Sequence, residues 1–580
     1  MVIMSLAVVN VILLGFGSAA ADSGDPDLGK YFANCDPRYD DDVGMLATTW
    51  HSPGYHTTVA NGARAHPTRD SLTYALALLQ SGESERAERA GRIVGKVLTL
   101  QDTNPDSKTY GIWPWLLEEP LSKMSPPDWN WAAFCGALIA QMLIEAKDRL
   151  EPGVAEAMRE SLNHAARSIV RRNVGPGYTN IAVMSAGVTV AAGELLAESE
   201  LLEYGVGQLQ KIVEHREFHG GFNEYNSPTY TMVALHECER MLELVKHEAA
   251  RADAERLRRY LWQTIADHFH PATGQWAGPH SRDYGLWVRA DRARYLAEQT
   301  GAAVRVHPKA GSSTSSWPNL MKPLPCPPDL AGRFHRLPEP EVEVVRRAIR
   351  RDTDEASTWI TTWFTPDACL GSVNRGLFWT QRHVVLAYWN GPDAVPVALR
   401  LRFLHDDVDF SSAYSHNAQQ ANRILSAVGV VTNRGDFHPS LDRPKDGTFE
   451  AEDFRLRCEL VGTGAAARAL EDGRYELAAG AYRVVIHTSP GRFDTYPVRW
   501  ETSNDDERAC VDAVCYHGEK RAFTLADLRE VRVLAGIELI GADAAPTDQP
   551  VVAATQGENI IQSTWAGLTL RTPLGAQRYP

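Results

Sequence analysis

The eight cysteines of this 580-residue chain form no CxxC pair and no Cys/His knuckle, which speaks against a structural zinc site. Only Cys510 and Cys515 lie close enough to imply a local disulfide. Positive charge is also in short supply: 59 Lys and Arg face 73 Asp and Glu, for a net charge of −14. A broad electrostatic footprint for nucleic acid is thereby disfavoured, and an anionic ligand has to be met by a local basic cluster. Long apolar runs are confined to residues 2–21. That run ends in Gly-Ser-Ala-Ala-Ala-Asp, a small-residue cleavage pattern, so residues 1–21 are expected to be a signal peptide and the mature protein to be secreted or periplasmic. Residues 1–10 contain no Lys or Arg, which keeps a non-cleaved anchor as the alternative. No other segment is read as membrane-spanning. No Walker or Rossmann glycine pattern stands in the context that would hold a nucleotide; no cofactor and no metal are expected.

What is present is ordinary globular material, 44% hydrophobic and 23% charged, long enough for two or three cored domains. Apolar residues recur at helical spacing over 69–80, 83–101, 129–150, 154–172, 182–197, 200–214, 228–248, 252–270 and 283–299. Asp70-Ser71 reads as an N-cap, and Ser227-Pro228 places proline where a helix start tolerates it. Residues 22–305 are therefore expected to form an all-α domain of hairpins. Prolines 308, 318, 323, 325, 327, 328, 338 and 340 surround a Ser-Ser-Thr-Ser-Ser run and mark 306–340 as a linker. Beyond it, Thr358-Trp-Ile-Thr-Thr-Trp-Phe, His383-Val-Val-Leu-Ala-Tyr-Trp and Tyr482-Arg-Val-Val-Ile-His-Thr are β-branched and aromatic, so 341–580 is read as an antiparallel β-sandwich.

Three clusters at helix entrances carry more polar chemistry than capping needs. The first holds Trp113, Trp115, Trp129 and Trp131, whose faces suit sugar rings and whose N–H groups suit hydroxyls; wedging helices together is the competing use. The second is Gly220-Gly-Phe-Asn-Glu-Tyr-Asn-Ser-Pro-Thr-Tyr, which places Asn223, Glu224, Tyr225, Asn226 and Tyr230 beside a helix start, with His236 two turns further on. The third, Trp276-Ala-Gly-Pro-His-Ser-Arg-Asp-Tyr, displays His280, Arg282, Asp283 and Tyr284. An arginine beside a tyrosine pairs carboxylates and favours a phenolate. Asn180, in Gly177-Tyr-Thr-Asn-Ile, opens another helix in the same manner. In the β half, Tyr414, His416 and Asn417 are further candidates, with an ordinary loop as the simpler reading.

The pattern resembles the extracellular polysaccharide lyases with an incomplete (α/α) toroid followed by an antiparallel β domain, the alginate lyase and heparinase-like assembly. The order Asn180, His236, Arg282, Tyr284 is similar to the Asn, His, Arg and Tyr sets of toroid lyases, including the glucuronan lyases of polysaccharide lyase family 38. The metal-ligand spacing of the heparinase II/III type is missing from the β half. The resemblance implies β-elimination on a uronate polymer: the substrate carboxylate is neutralised by Asn180, Arg282 and His236, Tyr284 takes the C5 proton, and Tyr284 or Tyr230 protonates the leaving O4. It implies an anionic polysaccharide partner, with Trp113, Trp129, Asn223, Glu224, Tyr225, Asn226 and His280 lining its path. Two other readings stand beside it. A toroidal glycoside hydrolase would use a carboxylate pair drawn from Glu118, Glu119, Asp128 and Glu224. A non-catalytic glycan-binding protein would keep the tryptophans and not need the Asn, His, Arg and Tyr set.

Overall fold

The computed structural model describes residues 28–311, 320–557 and 559–579. The expected signal peptide at 1–21 and the serine-rich run at 312–316 lie outside the described residues. After a short helix α1 (Leu28–Cys35), eight helices make four antiparallel hairpins: α2 (Thr68–Gln80) with α3 (Ser84–Leu98), α4 (Trp131–Glu145) with α5 (Pro152–Arg172), α6 (Thr179–Leu196) with α7 (Ser199–His219), and α8 (Tyr230–Leu244) with α9 (Glu248–His268). The even-numbered helices pack side by side as an inner layer and the odd-numbered ones lie outside them. Composition decides the layer. Helices α4 and α6 each carry a single charged residue, Glu145 and Glu194, and are walled on all sides; α9 is rich in charge, and its stripe of Ala250, Ala254, Leu257, Leu261 and Ile265 faces inward. Helix α6 is long and apolar enough to cross a membrane, unlike the sequence reading, but 78% of it is buried as an inner-layer helix.

Each hairpin reverses the chain, so the inner helices run in one direction and their N-termini meet at one end, where the helix dipoles are positive. Helix starts differ from expectation where side chains were assigned as caps. Helix α2 begins at Thr68 after Pro67, so Asp70 and Ser71 lie within its first turn. Asn180 is likewise inside α6 rather than capping it. Helix α10 spans only Ala290–Thr300; residues 283–289 remain a loop because they are drawn across to the β domain. The proline-rich segment read as a linker is packed against the helices: Gln80 and Gln141 donate to the Leu320 carbonyl at 2.6 and 3.0 Å, Cys326 is buried, and helix α11 (Pro328–Ala331) brings Leu330 into the helical core.

The C-terminal half is a sandwich of a nine-stranded and a seven-stranded antiparallel sheet. Leu370, Leu399 and Phe403 of the first meet Val428, Val484 and Ile537 of the second in one core. Tyr414, His416 and Asn417 stand on a strand (Ala413–Gln420), not on a loop. Cys510 and Cys515 are both free. They share the strand Arg508–Thr524, where Cys515 points into the sandwich core with Val511 and Ala513 and Cys510 points the other way, so they are not bridged.

Candidate active site

The second and third polar clusters are locked to one another and then to the sheet. Asn226, in a left-handed conformation (φ 41°), donates through Nδ2 to the carbonyls of Ala277 and Pro279 at 2.8 and 2.9 Å and accepts from Trp276 Nε1 at 2.5 Å. Ser227 Oγ donates to the Arg282 carbonyl and accepts from the Tyr230 amide. Asp283 accepts from Thr229 at 2.7 Å and from Arg292 at 3.2 Å. On the other side, His280 and His383 exchange two backbone hydrogen bonds at 3.0 Å, and the Asp283 amide donates to the Gln381 carbonyl at 2.6 Å. Gly371 makes this docking possible: a Cβ there would sit 1.9 Å from the Gly278 carbonyl oxygen, a contact no side chain tolerates. The loop carrying Arg282 and Tyr284 is thus held in the cleft between the helical layer and the sandwich.

In that cleft the Tyr230 and Tyr284 hydroxyls are 2.6 Å apart. Arg282 lies across the Tyr230 ring at 4.1 Å and donates from Nη2 to its hydroxyl at 2.8 Å. Nε and Nη2 also donate to Gln381 Oε1 at 3.1 and 3.0 Å, and Nη1 reaches Glu224 at 3.4 Å. Of the five guanidinium N–H groups, one on Nη1 has no acceptor among the described residues. Glu224 is held from behind by Asn180, whose amide and Nδ2 donate to its carboxylate at 2.7–2.8 Å. Asn180 Oδ1 is buried without a partner. Five predicted residues, Asn180, Glu224, Tyr230, Arg282 and Tyr284, therefore form one constellation at the N-termini of α6 and α8.

At Tyr230 burial outweighs the Arg282 guanidinium, and the hydroxyl is held well above its ordinary range. Tyr230 is a proton donor at neutral pH. Burial also raises Glu224, against the pull of Arg282 and Asn180. Arg282 is raised further despite its own burial, chiefly by Tyr230, Tyr284 and Glu224 around it, and stays charged. Tyr284 is 58% exposed and forms the open side of the pair.

The remaining predicted residues sit elsewhere. Trp113 is buried and donates to the Val97 carbonyl; Trp129, half-buried, donates to Lys108. His236 is not in the cleft: its ring packs edge-on against Tyr295 at 4.8 Å, its Nε2 is buried without a partner, and burial drives it down to about 4. His280 is buried against His383 and is also held near 4, while Asn226 spends its amide on the loop. Asn223 Oδ1 accepts from His215 Nε2 at 2.9 Å. Tyr225 turns into the sandwich core. The carboxylates weighed for hydrolysis are engaged: Glu118 by His66, Glu119 by Thr58, Asp128 by Trp115 and Asn130, and Glu224 by Asn180.

The site also contains residues that sequence reasoning passed over. Tyr178 receives a hydrogen bond from Asn130 at 3.2 Å and feels both Arg282 and Glu224. Tyr55 meets Gln381 and packs against His438 at 5.4 Å, while Trp379 lies 5.2 Å from His438 and 5.3 Å from Arg282. Tyr178 stood in the quoted Gly-Tyr-Thr-Asn string; Gln381, Trp379 and His438 arrive from the β domain with no local signal.

Residues 33–321 match a family model described as a domain of unknown function (DUF8769). No curated protein sequence matches the chain. Among solved structures it is similar to heparinase III, at 10% identity and a TM-score of 0.43, over 96% of this chain and 92% of that one. It is also similar to the heparinase III BT4657 gene product, at 12% identity and a TM-score of 0.35, over 87% of this chain and 84% of that one. These likenesses concern heparinase III and not a glucuronan lyase.

Proposed function

We propose that the protein is a polysaccharide lyase that cleaves a uronate-containing polymer by β-elimination. The observation that carries the reading is the Tyr284–Tyr230–Arg282 chain in the interdomain cleft, with no unengaged carboxylate pair beside it among the described residues. Tyr284, on the open side, takes the C5 proton as its phenolate. Tyr230, kept protonated by burial and 2.6 Å away, donates to the Tyr284 oxygen and stabilises the negative charge it carries until the proton is taken, and Arg282 in turn donates to Tyr230. The free Nη1 N–H of Arg282 and the convergent helix N-termini favour the substrate carboxylate, whose neutralisation makes the C5 proton removable. The proton taken at C5 returns to the leaving O4 through the same tyrosine pair, leaving an unsaturated uronate. Asn180 acts through Glu224, holding it against Arg282. His236 has no part in this scheme.

Incubation with glucuronan, alginate, heparinoids, chondroitin and hyaluronan, following both ultraviolet absorbance and reducing ends, tests the proposal. Elimination raises both signals together; reducing ends without absorbance would mean hydrolysis.

A further inference from the structure

Most half-buried arginines of the β domain are paired: Arg402 with Asp409, Arg457 with Asp512 and Arg483 with Glu476. Three beside the cleft are not. Arg375, Arg382 and Arg434 meet no carboxylate among the described residues; the Nε atoms of Arg375 and Arg434 are buried without a hydrogen-bond partner, while Arg375 Nη2 donates to the Glu355 carbonyl. Arg382 follows Gln381 directly, and its Nε donates at 3.0 Å to the carbonyl of Ser281, the residue before Arg282; its two terminal nitrogens have no acceptor among the described residues.

Tyrosines gather at the same place. The Tyr414 ring lies 5.5 Å from Tyr579, and Arg434 stacks on Tyr579 at 4.5 Å. Arg375 stands opposite His416 on the neighbouring strand, two positions from the Leu377–Tyr414 pair. Tyr414 senses Arg375, Arg382, Tyr225 and Tyr579, and Tyr225 senses Arg382 and Tyr579, so the groups share one locale. Tyr225 and Tyr414 are each only 7% exposed, yet their hydroxyls make no hydrogen bond to the described residues. Burial pushes Tyr225 up to about 12 and Tyr414 higher still, which leaves both as donors at neutral pH.

A buried guanidinium N–H left unpaired costs stability, and guanidinium groups with no carboxylate partner beside protonated phenols present converging donors suited to an oxyanion. We propose that Arg375, Arg382 and Arg434, with the hydroxyls of Tyr225 and Tyr414, form an anion-binding subsite that takes a carboxylate or sulfate on a sugar next to the one being cleaved. The site is separated from the Arg282–Tyr230 centre by one residue on each of two chain segments, 281–282 and 381–382, which places it along a polymer lying in the cleft. The assignment rests on the lyase reading for the identity of the polymer, but its binding chemistry does not.

The test is calorimetric binding of inorganic sulfate, oligoglucuronate and heparin oligosaccharides to the full chain carrying Tyr284→Phe, so that no probe is turned over. Further substitution with Arg382→Gln, or with Arg375→Gln and Arg434→Gln together, is expected to weaken the oligosaccharides by about tenfold or more, the loss of one or two charge-assisted hydrogen bonds. Arg382→Lys should recover part of the loss, and unchanged melting temperatures report that the fold is intact. A larger effect on the heparin probe assigns the site to sulfate, and a larger effect on oligoglucuronate to carboxylate. Equal binding with and without the arginines, or no binding of any probe to the parent, overturns the subsite. If the arginine variants lose binding but no polyuronate gives an unsaturated product with the native chain, the lyase reading falls and the subsite stands. If elimination proceeds and the arginine variants bind as the parent does, the subsite falls alone.

Discussion

Tyr284→Phe separates catalysis from structure because of where the residue stands. The ring is 58% exposed and its hydroxyl makes one hydrogen bond, to Tyr230 at 2.6 Å. Deleting that hydroxyl keeps the ring and its contact with Tyr230 at 6.3 Å. Since water replaces the lost partner, the stability change is about 1 kcal/mol or less, and for a protein of this size the melting temperature should fall by no more than about 2 °C. Proton transfer, by contrast, has no substitute nearby: Tyr230 is behind Tyr284 and held protonated. The elimination rate should fall by about 10²-fold or more, with the substrate affinity little changed. Initial rates of unsaturated-product formation and a thermal melt, on the same preparation, decide it. A variant that keeps near-normal turnover, or that loses activity only in step with a large drop in melting temperature, would refute the assignment of the base.

Other expected outcomes follow from the same geometry. Asn226→Ala removes three buried hydrogen bonds from the loop that carries Arg282 and should cost about 3 kcal/mol or more, seen as a lowered denaturation midpoint. His236→Leu should leave turnover within about threefold of the parent, because its buried Nε2 has no partner and the ring is outside the cleft; a loss as large as that of Tyr284→Phe would restore His236 to the site. Glu239, buried behind Tyr295 and Arg258, is raised by burial to about 7. Between the ordinary carboxylate range and pH 7 the folded state therefore holds a proton that the unfolded state has lost. Stability contributed by this group is present at low pH and declines as pH rises to about 7, by on the order of 3 kcal/mol. Glu239→Gln should remove that decline from a series of melts taken across this pH range.

The helical layer was legible because burial writes a period into the sequence. Residues 154–172 were read within two positions of Pro152–Arg172, since an outer helix alternates its faces. The failure at 283–289 has the same physics in reverse: Leu286, Trp287 and Val288 look like a helical face, but Trp287 packs with Tyr388 and Leu286 of the sheet-side cluster, and a backbone ladder to 381–383 replaces helical hydrogen bonds. Asn180, Glu224, Tyr230, Arg282 and Tyr284 could be found because each stands in a polar string at a helix start or turn. Gln381, Trp379 and His438 could not, since a glutamine in a turn acquires its role only when Arg282, 99 residues away, docks onto it. Histidine misled for a related reason: His236 and His280 sit in strings of reactive residue types, and only burial shows that both are held neutral.

The mass of the new non-reducing end, measured after the native chain has acted on the best polyuronate of the panel, tests the central claim most directly. The account predicts oligosaccharides lighter by one water than their hydrolysis counterparts, absorbing in the ultraviolet and absent when Tyr284→Phe replaces the native chain. Products carrying the full mass of water at each cut would contradict it and assign the cleft to a hydrolase.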